Sequence, residues 1–307
     1  MWRRWRRSGR KLFPTGRIVK PDLKTILKLL PLAIPFIFIF MSGIVLTAFQ
    51  SFGLMFFGYN YEDNLFAYKS LFTEVWFYHS FALTLLVALT SSLFSVIIGV
   101  IISYNIWRLP DGMKRFGIVS RIPLILPHIA VGFIVILLFS RSGIFSSAST
   151  AAGITSGIED FPGILYSRYG LDIILANIYK ETPFVIVMVY AVLLKTDNRL
   201  IQTASMLGAS PVRIFFRIIL PALLPIINTV FIIIFVYNFG SFEIPYVLGS
   251  SKPGLLSMRV YDYFFMKDLS LRPVAMAILM VIFVFSMSFV YIYSRVISKI
   301  DIRDRKL

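Results

Sequence analysis

Six apolar stretches, each long enough to cross a bilayer, constrain this chain more than any other feature. A transmembrane helix needs about 20 apolar residues, and hydrophobic residues make up 58% of the 307 positions, more than a soluble domain of this size buries. The sequence therefore predicts an all-α integral membrane protein with six transmembrane helices. Their approximate bounds are Leu29–Phe49, Phe81–Trp107, Phe116–Phe139, Leu171–Leu194, Ile214–Phe239 and Val274–Tyr293.

Basic residues are placed asymmetrically around these stretches. Ten Lys or Arg residues and a single acid, Asp22, precede the first stretch, and more bases lie in the second-to-third connection, the 195–217 connection and the C-terminal tail. The three remaining connections mix seven bases with many acids. Because cytoplasmic loops are rich in Lys and Arg, both termini and the 195–217 connection are predicted to be cytoplasmic.

The chain divides into a basic cytoplasmic segment at 1–28, a transmembrane domain at 29–295 and a basic cytoplasmic tail at 296–307. The first apolar run is of spanning length and lacks a clear cleavage site, so we interpret it as a retained helix rather than a secretion signal. The opening MWRRWRRSGRKLF is interpreted as lying on anionic headgroups, the alternative being a nucleic-acid arm; no nucleic-acid partner is predicted. The 140–170 connection is small and polar enough to be a mobile loop.

Prolines fall inside several of the predicted spans. Proline removes a helical hydrogen bond, and in lipid such a break is tolerated only where neighbouring groups or a cavity satisfy the freed carbonyls. The pattern predicts a bundle that bends around a path. The prolines concerned are Pro123, Pro127, Pro183, Pro221 and Pro225.

Sequence motifs of catalysis are missing. The chain has no GxxxxGK[ST], HExxH or GxSxG motif, no cysteine and only two histidines, His79 and His128. These absences argue against ATP hydrolysis, metalloprotease or serine-hydrolase chemistry and thiol or Cys-ligated metal sites in this chain. We therefore predict a protein that is not an enzyme and holds no cofactor of its own.

Polar residues inside the predicted spans are the remaining functional candidates. Asn177 and Glu181 are four residues apart and share a helix face, whereas Lys180 lies about 100° from Glu181 around the axis. Lys180 and Glu181 either pair with charges on neighbouring helices or contact a solute. Arg121 is interpreted as snorkelling to the membrane surface. The candidate pathway residues are His128, Asn177, Lys180, Glu181, Asn238 and Glu243.

The segment QTASMLGASPVRIFFRIILP, Gln202–Pro221, lies between two spanning stretches. Apolar or small residues recur there with helical spacing at Leu200, Ala204, Leu207 and Pro211, which predicts a short amphipathic helix. Ala204 and Gly208 project no bulk, so this helix is suited to a partner's groove. The alternative is an ordinary connector on the membrane surface.

This segment resembles the cytoplasmic EAA loop of binding-protein-dependent ABC importer permeases. Gln202 stands where glutamate is usual and Thr203 where the first alanine is usual. The matching positions are Ala204, Gly208, Ile218, Leu220 and Pro221.

Two further segments resemble the same family. GSFEIPYVLGSSKP, at 240–253, is similar to the G-[DE]-F-x-x-P-x-x-L-G segment of permeases that import polyamines, ferric iron, sulfate or aminophosphonates, and YKETPF, at 179–184, is similar to an element of their fourth helix. The resemblance extends from about Phe81 to Arg295.

The resemblance implies a type I ABC importer permease fold in a bacterial-type cytoplasmic (inner) membrane, working by alternating access. It implies two cytoplasmic ATPase subunits that carry ATP and Mg, a second permease subunit that is either a different, related chain or an identical copy, and an extracytoplasmic solute-binding protein. The ATPase-coupling residues it implies are Gln202, Thr203, Ala204, Gly208, Ala209, Pro211, Arg213, Leu220 and Pro221.

The solute is expected to be a small organic cation or zwitterion such as a polyamine, because Glu181 and Glu243 are the best placed charged residues near the pathway. Ferric iron, sulfate and aminophosphonates are the alternatives within the same class. An ion-coupled secondary transporter is the main alternative from another class; it would need midplane carboxylates and no ATPase. A membrane enzyme is the third.

We expect Gln202→Glu, which restores the usual residue, to be tolerated. A single surface charge changes binding by about 1 kcal/mol at most, so ATPase retention during purification should stay within about fivefold of wild type. Complete loss of the ATPase would mean that the partner surface rejects an acid at this position.

Overall fold

The computed structural model describes residues 23–54, 63–196, 198–249 and 254–304. The predicted segment before Leu23, the last three residues of the tail and residues 250–253 lie outside this description. The α-helices are α1 Leu23–Ser51, α2 Phe66–Thr73, α3 Val75–Arg108, α4 Asp111–Lys114, α5 Ile122–Ile125, α6 His128–Phe139, α7 Ile144–Ala151, α8 Leu171–Leu193, α9 Asn198–Met206, α10 Pro211–Ile214, α11 Leu220–Gly240, α12 Glu243–Leu248, α13 Leu256–Tyr261 and α14 Arg272–Asp304.

Among the described residues, six helical segments are long and apolar enough to cross a membrane, as predicted. Their bounds are Leu27–Ser51, Val75–Arg108, His128–Ala151, Leu171–Leu193, Pro211–Gly240 and Leu269–Lys299. The first 47 residues form one unit and residues 48–307 another. The part of α1 in the first unit is largely exposed. Pro31 and Pro35 lie inside this helix.

The centre of the second unit is the parallel pair α3 and α8. Ser103 Oγ on α3 donates to the carbonyl of Ile186 on α8 at 3.2 Å, and Gly99 lies against Val185. Two buried serines of α3 also donate to carbonyls one turn back, Ser91 to Val87 at 2.6 Å and Ser92 to Ala88 at 2.7 Å. These bonds let a polar helix face be buried in a membrane protein.

Contacts between tilted aromatic rings join α11 to α14. The rings of Phe235 and Phe289 lie 3.9 Å apart and those of Phe239 and Phe285 lie 4.6 Å apart. Phe81 of α3 contacts Phe285 edge to face at 5.0 Å. The sixth span is thereby attached to α3 both directly, through Phe81, and through α11.

The third span differs from its prediction. Instead of a helix over 116–139, the chain forms a 3-10 turn at Arg115–Arg121, the short α5, an extended Leu126 with ψ of 136°, and then α6. Pro127 causes the break, because a proline lacks the N–H and forces the preceding residue out of the helical region.

Two other spans continue through their interior prolines, and the 140–170 connection differs from its prediction. Pro183 lies inside helix α8 and Pro225 inside α11. The 140–170 connection, expected to be a mobile loop, contains α7, whose Ser146 is buried. Short helical packing therefore replaces part of the predicted irregular loop.

Gly99→Ala should destabilise the second unit. A Cβ at this position would lie 2.5 Å from the Val185 Cβ and 3.3 Å from the Thr182 carbonyl, so α3 and α8 must separate. Such overpacking costs about 1 to 3 kcal/mol, measurable as a lower melting temperature in detergent. Gly43→Ala, whose Cβ would meet nothing within 4 Å, is the matched control, and equal melting of the two variants would contradict the close approach.

Candidate functional site

The connection between the fourth and fifth spans forms a helix with a fixed end. α9 ends at Met206, and Gly208 takes a left-handed conformation with φ of +78°. The Gly208 N–H donates to Ser205 O and the Ala209 N–H to Ala204 O, both at 3.0 Å. This is a Schellman cap, which glycine favours because other L-residues are strained there.

The sequence predicted one apolar stripe on this helix, and that prediction was wrong in two respects. The stripe consisted of Leu200, Ala204, Leu207 and Pro211. The helix stops before Pro211, so the four residues do not lie on one helix. Ala204 packs, together with Ile201 and Ala209, on the core between α8 and α11 rather than outward. The exposed apolar residues at the tip are Met206, 88% exposed, and Leu207, 83% exposed.

Sequence reasoning therefore identified Leu207 and missed Met206. Met206 lies one position outside the assumed stripe, so spacing alone could not select it. A search for apolar residues directly before a helix-ending glycine would have found both. Gln202 and Thr203 are exposed, as the resemblance requires for a docking surface.

The base of this loop is firmly attached to the bundle. Ser210 Oγ accepts a bond from the Arg213 N–H at 3.4 Å, and a π-turn over Phe215–Ile219 precedes Leu220 and Pro221. Pro221 cannot donate a helical bond, and a π-turn accommodates that irregularity. Arg213 is exposed, whereas Ile219 is buried.

A second group of predicted residues converges around His128, at the first position of α6. Its Nε2 lies 3.5 Å from Glu181 Oε1 of α8, and its Nδ1 lies 3.5 Å from Glu243 Oε2 of α12. The ring of Tyr237, on α11, lies 5.0 Å from the imidazole. We call His128, Glu181, Glu243 and Tyr237 the carboxylate cluster. Four helices thus meet at one polar point near the middle of α8.

The members of this cluster differ in exposure. The Glu243 side chain is 56% exposed and that of His128 27%, whereas that of Glu181 is 12%. Tyr237 was not among the sequence candidates, because a tyrosine in a span is ordinary and no motif marks it. Glu243 is therefore the more exposed of the two carboxylates.

Lys180 lies outside this cluster. Its ammonium donates to the carbonyls of Pro123 and Leu124 at 3.1 Å and of Leu126 at 2.5 Å. The prediction that Lys180 pairs with a charge on a neighbouring helix was therefore wrong, since its partners are main-chain oxygens. Glu181, in contrast, has an ionisable partner on a neighbouring helix, because its carboxylate lies 3.5 Å from His128 Nε2 of α6.

Asn177 and Asn238, also pathway candidates, lie in the helical core. Asn238 Nδ2 donates to Ser92 Oγ at 3.3 Å, and Asn177 is 1% exposed. Neither Nδ2 nor Oδ1 of the Asn177 side chain forms a hydrogen bond within the part of the chain that the structure describes. Both are placed for helix packing rather than for contact with the carboxylate cluster.

Comparison with known sequences gives a family. Residues 95–300 match the family described as binding-protein-dependent transport system inner membrane component. The probable sulfate transport system permease protein cysT of Prototheca wickerhamii is 28% identical over 60% of this chain and 72% of its own length. The molybdenum transport system permease protein ModB of Escherichia coli K12 is 27% identical over 56% of this chain and 72% of its own length. The spermidine/putrescine transport system permease protein PotB of Haemophilus influenzae is 34% identical over a shorter stretch, 27% of this chain and 29% of its own length.

Solved structures share the fold. A bacterial ABC transporter involved in the import of the acidic polysaccharide alginate superposes with a TM-score of 0.73 at 20% identity, over 92% of this chain and 98% of that one. The MetNI methionine ABC transporter in an inward-facing conformation gives 0.53 at 17% identity, over 72% and 94%. The predicted type I importer permease fold is confirmed.

Proposed function

This chain belongs to the family of binding-protein-dependent transport system inner membrane components, and we propose that it forms one half of a solute pathway driven by a separate ATPase. It is an ABC importer permease subunit, a transport component and not an enzyme. ATP and Mg are bound and used by the partner ATPase. A second permease subunit of a different chain completes the pathway.

The observation that supports ATPase coupling is the tip formed by Met206 and Leu207. Large apolar side chains that are more than four-fifths exposed mark interaction surfaces when they lie together. The cap at Gly208 holds them in one orientation, so little ordering is needed on binding. We propose that this tip enters a groove of the ATPase on the cytoplasmic side, with both termini of the permease on that side as well.

The external partner in this proposal is a solute-binding protein. The solved alginate transporter is described in complex with an alginate-bound periplasmic protein, and membership in a binding-protein-dependent family points the same way. The location proposed is the inner membrane of a bacterial-type cell.

We expect Met206→Glu and Leu207→Glu to release the ATPase. A buried apolar anchor replaced by a charge costs about 2 kcal/mol or more at an interface, so the ATPase should be lost during purification of the complex and solute uptake should stop. Ile154→Glu, at another exposed apolar site, is the control. Gly208→Leu is a poorer test, because it strains the cap as well as adding bulk.

Full ATPase retention and normal uptake in both Glu variants would contradict docking through this tip. The same measurement distinguishes the membrane-surface alternative, because a tip that only rests on lipid would leave ATPase retention unchanged.

We propose a small organic cation or zwitterion, such as a polyamine, as the solute. Relatives are named for sulfate, molybdenum, spermidine/putrescine and maltose transport, so the argument depends on this chain's own residues. The exposed charged group of the carboxylate cluster is Glu243, and the nearby cation Lys180 is 6% exposed and directed at carbonyls. In this proposal an entering solute meets the Glu243 carboxylate. The N–H groups of a polyamine can donate hydrogen bonds to its oxygens.

Glu243→Gln and Glu181→Gln should raise the KM for a polyamine, because a hydrogen bond to a charged group contributes about 1.5 to 3 kcal/mol, tenfold or more in affinity. Uptake into vesicles that contain the binding protein and ATPase is the measurement, with Glu159→Gln at an exposed loop position as the control. Calorimetry of the binding protein with spermidine, sulfate, ferric ion and an aminophosphonate checks the solute independently. A binding protein that takes only an anion would overturn the cation assignment.

A further inference from the structure

Lys180 is a buried cation that sits opposite a main-chain break rather than an acid. Its side chain is almost fully buried, and it forms no ion pair with a carboxylate among the described residues. Its ammonium has three N–H groups, and three carbonyls accept them, those of Pro123, Leu124 and Leu126. Every donor of the buried charge is therefore matched.

The three carbonyls converge because the third span is broken between α5 and α6. In an unbroken helix the Pro123 carbonyl would accept a bond from residue 127, but that residue is proline and has no N–H. Beyond the break, the Ala130 N–H donates to Pro127 rather than to Leu126. Carbonyls without donors are costly at membrane depth, and Lys180 supplies the donors from α8.

We propose that Lys180 is the positioning residue of the pathway, its ammonium serving as a tethered cation in a site made of three main-chain carbonyls. The bond set fastens α5 to α8, and His128 follows the break directly. Lys180 thus holds the imidazole where it contacts Glu181, the next residue of α8. The inference rests on the proposed function only for its transport readout.

The location of Lys180 also connects the two functional regions. α8 is continuous from Leu171 to Leu193, and α9, which leads to the Met206 and Leu207 tip, begins at Asn198. A displacement of the tip moves the end of α8, and α8 carries Lys180. Because the break at Leu126 is extended rather than helical, it is a point where α6 can change its angle. Lys180 transmits the movement of α8 to that point.

The test uses the whole importer, with its ATPase and binding protein, in proteoliposomes. Lys180→Ala removes a fragment that corresponds to propylammonium, and Lys180→Met keeps the length without any donor. We expect solute uptake per ATP hydrolysed to fall about tenfold in both variants, the size of a typical coupling change. Propylammonium should restore most of it in Lys180→Ala and none in Lys180→Met, where the methionine fills the space.

Three controls accompany these measurements. Tetramethylammonium has the charge but no N–H, so it should not restore the Lys180→Ala variant. Wild type with propylammonium measures any competition between that amine and the solute. Lys69→Ala removes an exposed lysine from α2 and should couple normally.

A structural measurement follows the same contact without transport. The chain has no cysteine, so spin labels at Ile125→Cys and Leu194→Cys, both exposed positions, report the separation of α5 from α8. Lys180→Met should broaden the distance distribution relative to wild type. Lys180→Arg keeps a buried cation, but its planar donors do not match three converging carbonyls, so it too should broaden the distribution.

The inference is overturned if Lys180→Met couples uptake to ATP as wild type does, if propylammonium and tetramethylammonium act alike on Lys180→Ala, or if the distance distribution is the same in wild type, Met and Arg variants. Failure of the proposed function has a different signature: wild type itself would retain no ATPase or take up no solute, while the label distances would still respond to Lys180.

Discussion

Main-chain carbonyls that lose their helical donors inside a membrane must find other donors, and this requirement organises the centre of the molecule. Pro127 breaks the third span, and the Lys180 ammonium meets the three carbonyls on one side of the break. α6 can then begin beside Glu181, level with the middle of α8. Because α6 packs closely on α12, where Gly132 faces Val247, the same break also brings Glu243 to His128.

Helix α8 links the carboxylate cluster to the exposed tip at Met206 and Leu207. It is held tightly against α3 at Gly99 and Ser103, carries Lys180 and Glu181 at its middle, and leads through a short connection into α9. A continuous helix that is bonded to the break at one point and is followed by the exposed Met206 and Leu207 tip would serve the proposed function as a mechanical link. In the proposed mechanism, such a link would relate ATPase contact at the tip to the position of His128.

The candidate site was predicted only in pieces. His128, Glu181 and Glu243 were each selected as polar residues in or near spans, but they lie on α6, α8 and α12, and their meeting depends on where the third span breaks. Lys180 was assigned a charged partner because sequence shows which residues are charged and does not show which carbonyls lack donors. Ala204 was assigned to the outer face of its helix, although packing against the core turned Met206 outward instead.

Hydrophobicity and charge are properties of each residue, so the sequence by itself determined the number of membrane spans and the all-helical class. Its motifs also gave the resemblance to importer permeases. The family match and the fold agree with these predictions. The tertiary structure alone decided which proline breaks its helix, since Pro183 and Pro225 lie in continuous helices and Pro127 does not. It also decided the partners of Lys180 and His128. These outcomes depend on which neighbouring helix can supply a donor at a given depth, and that is a property of packing and not of the local sequence.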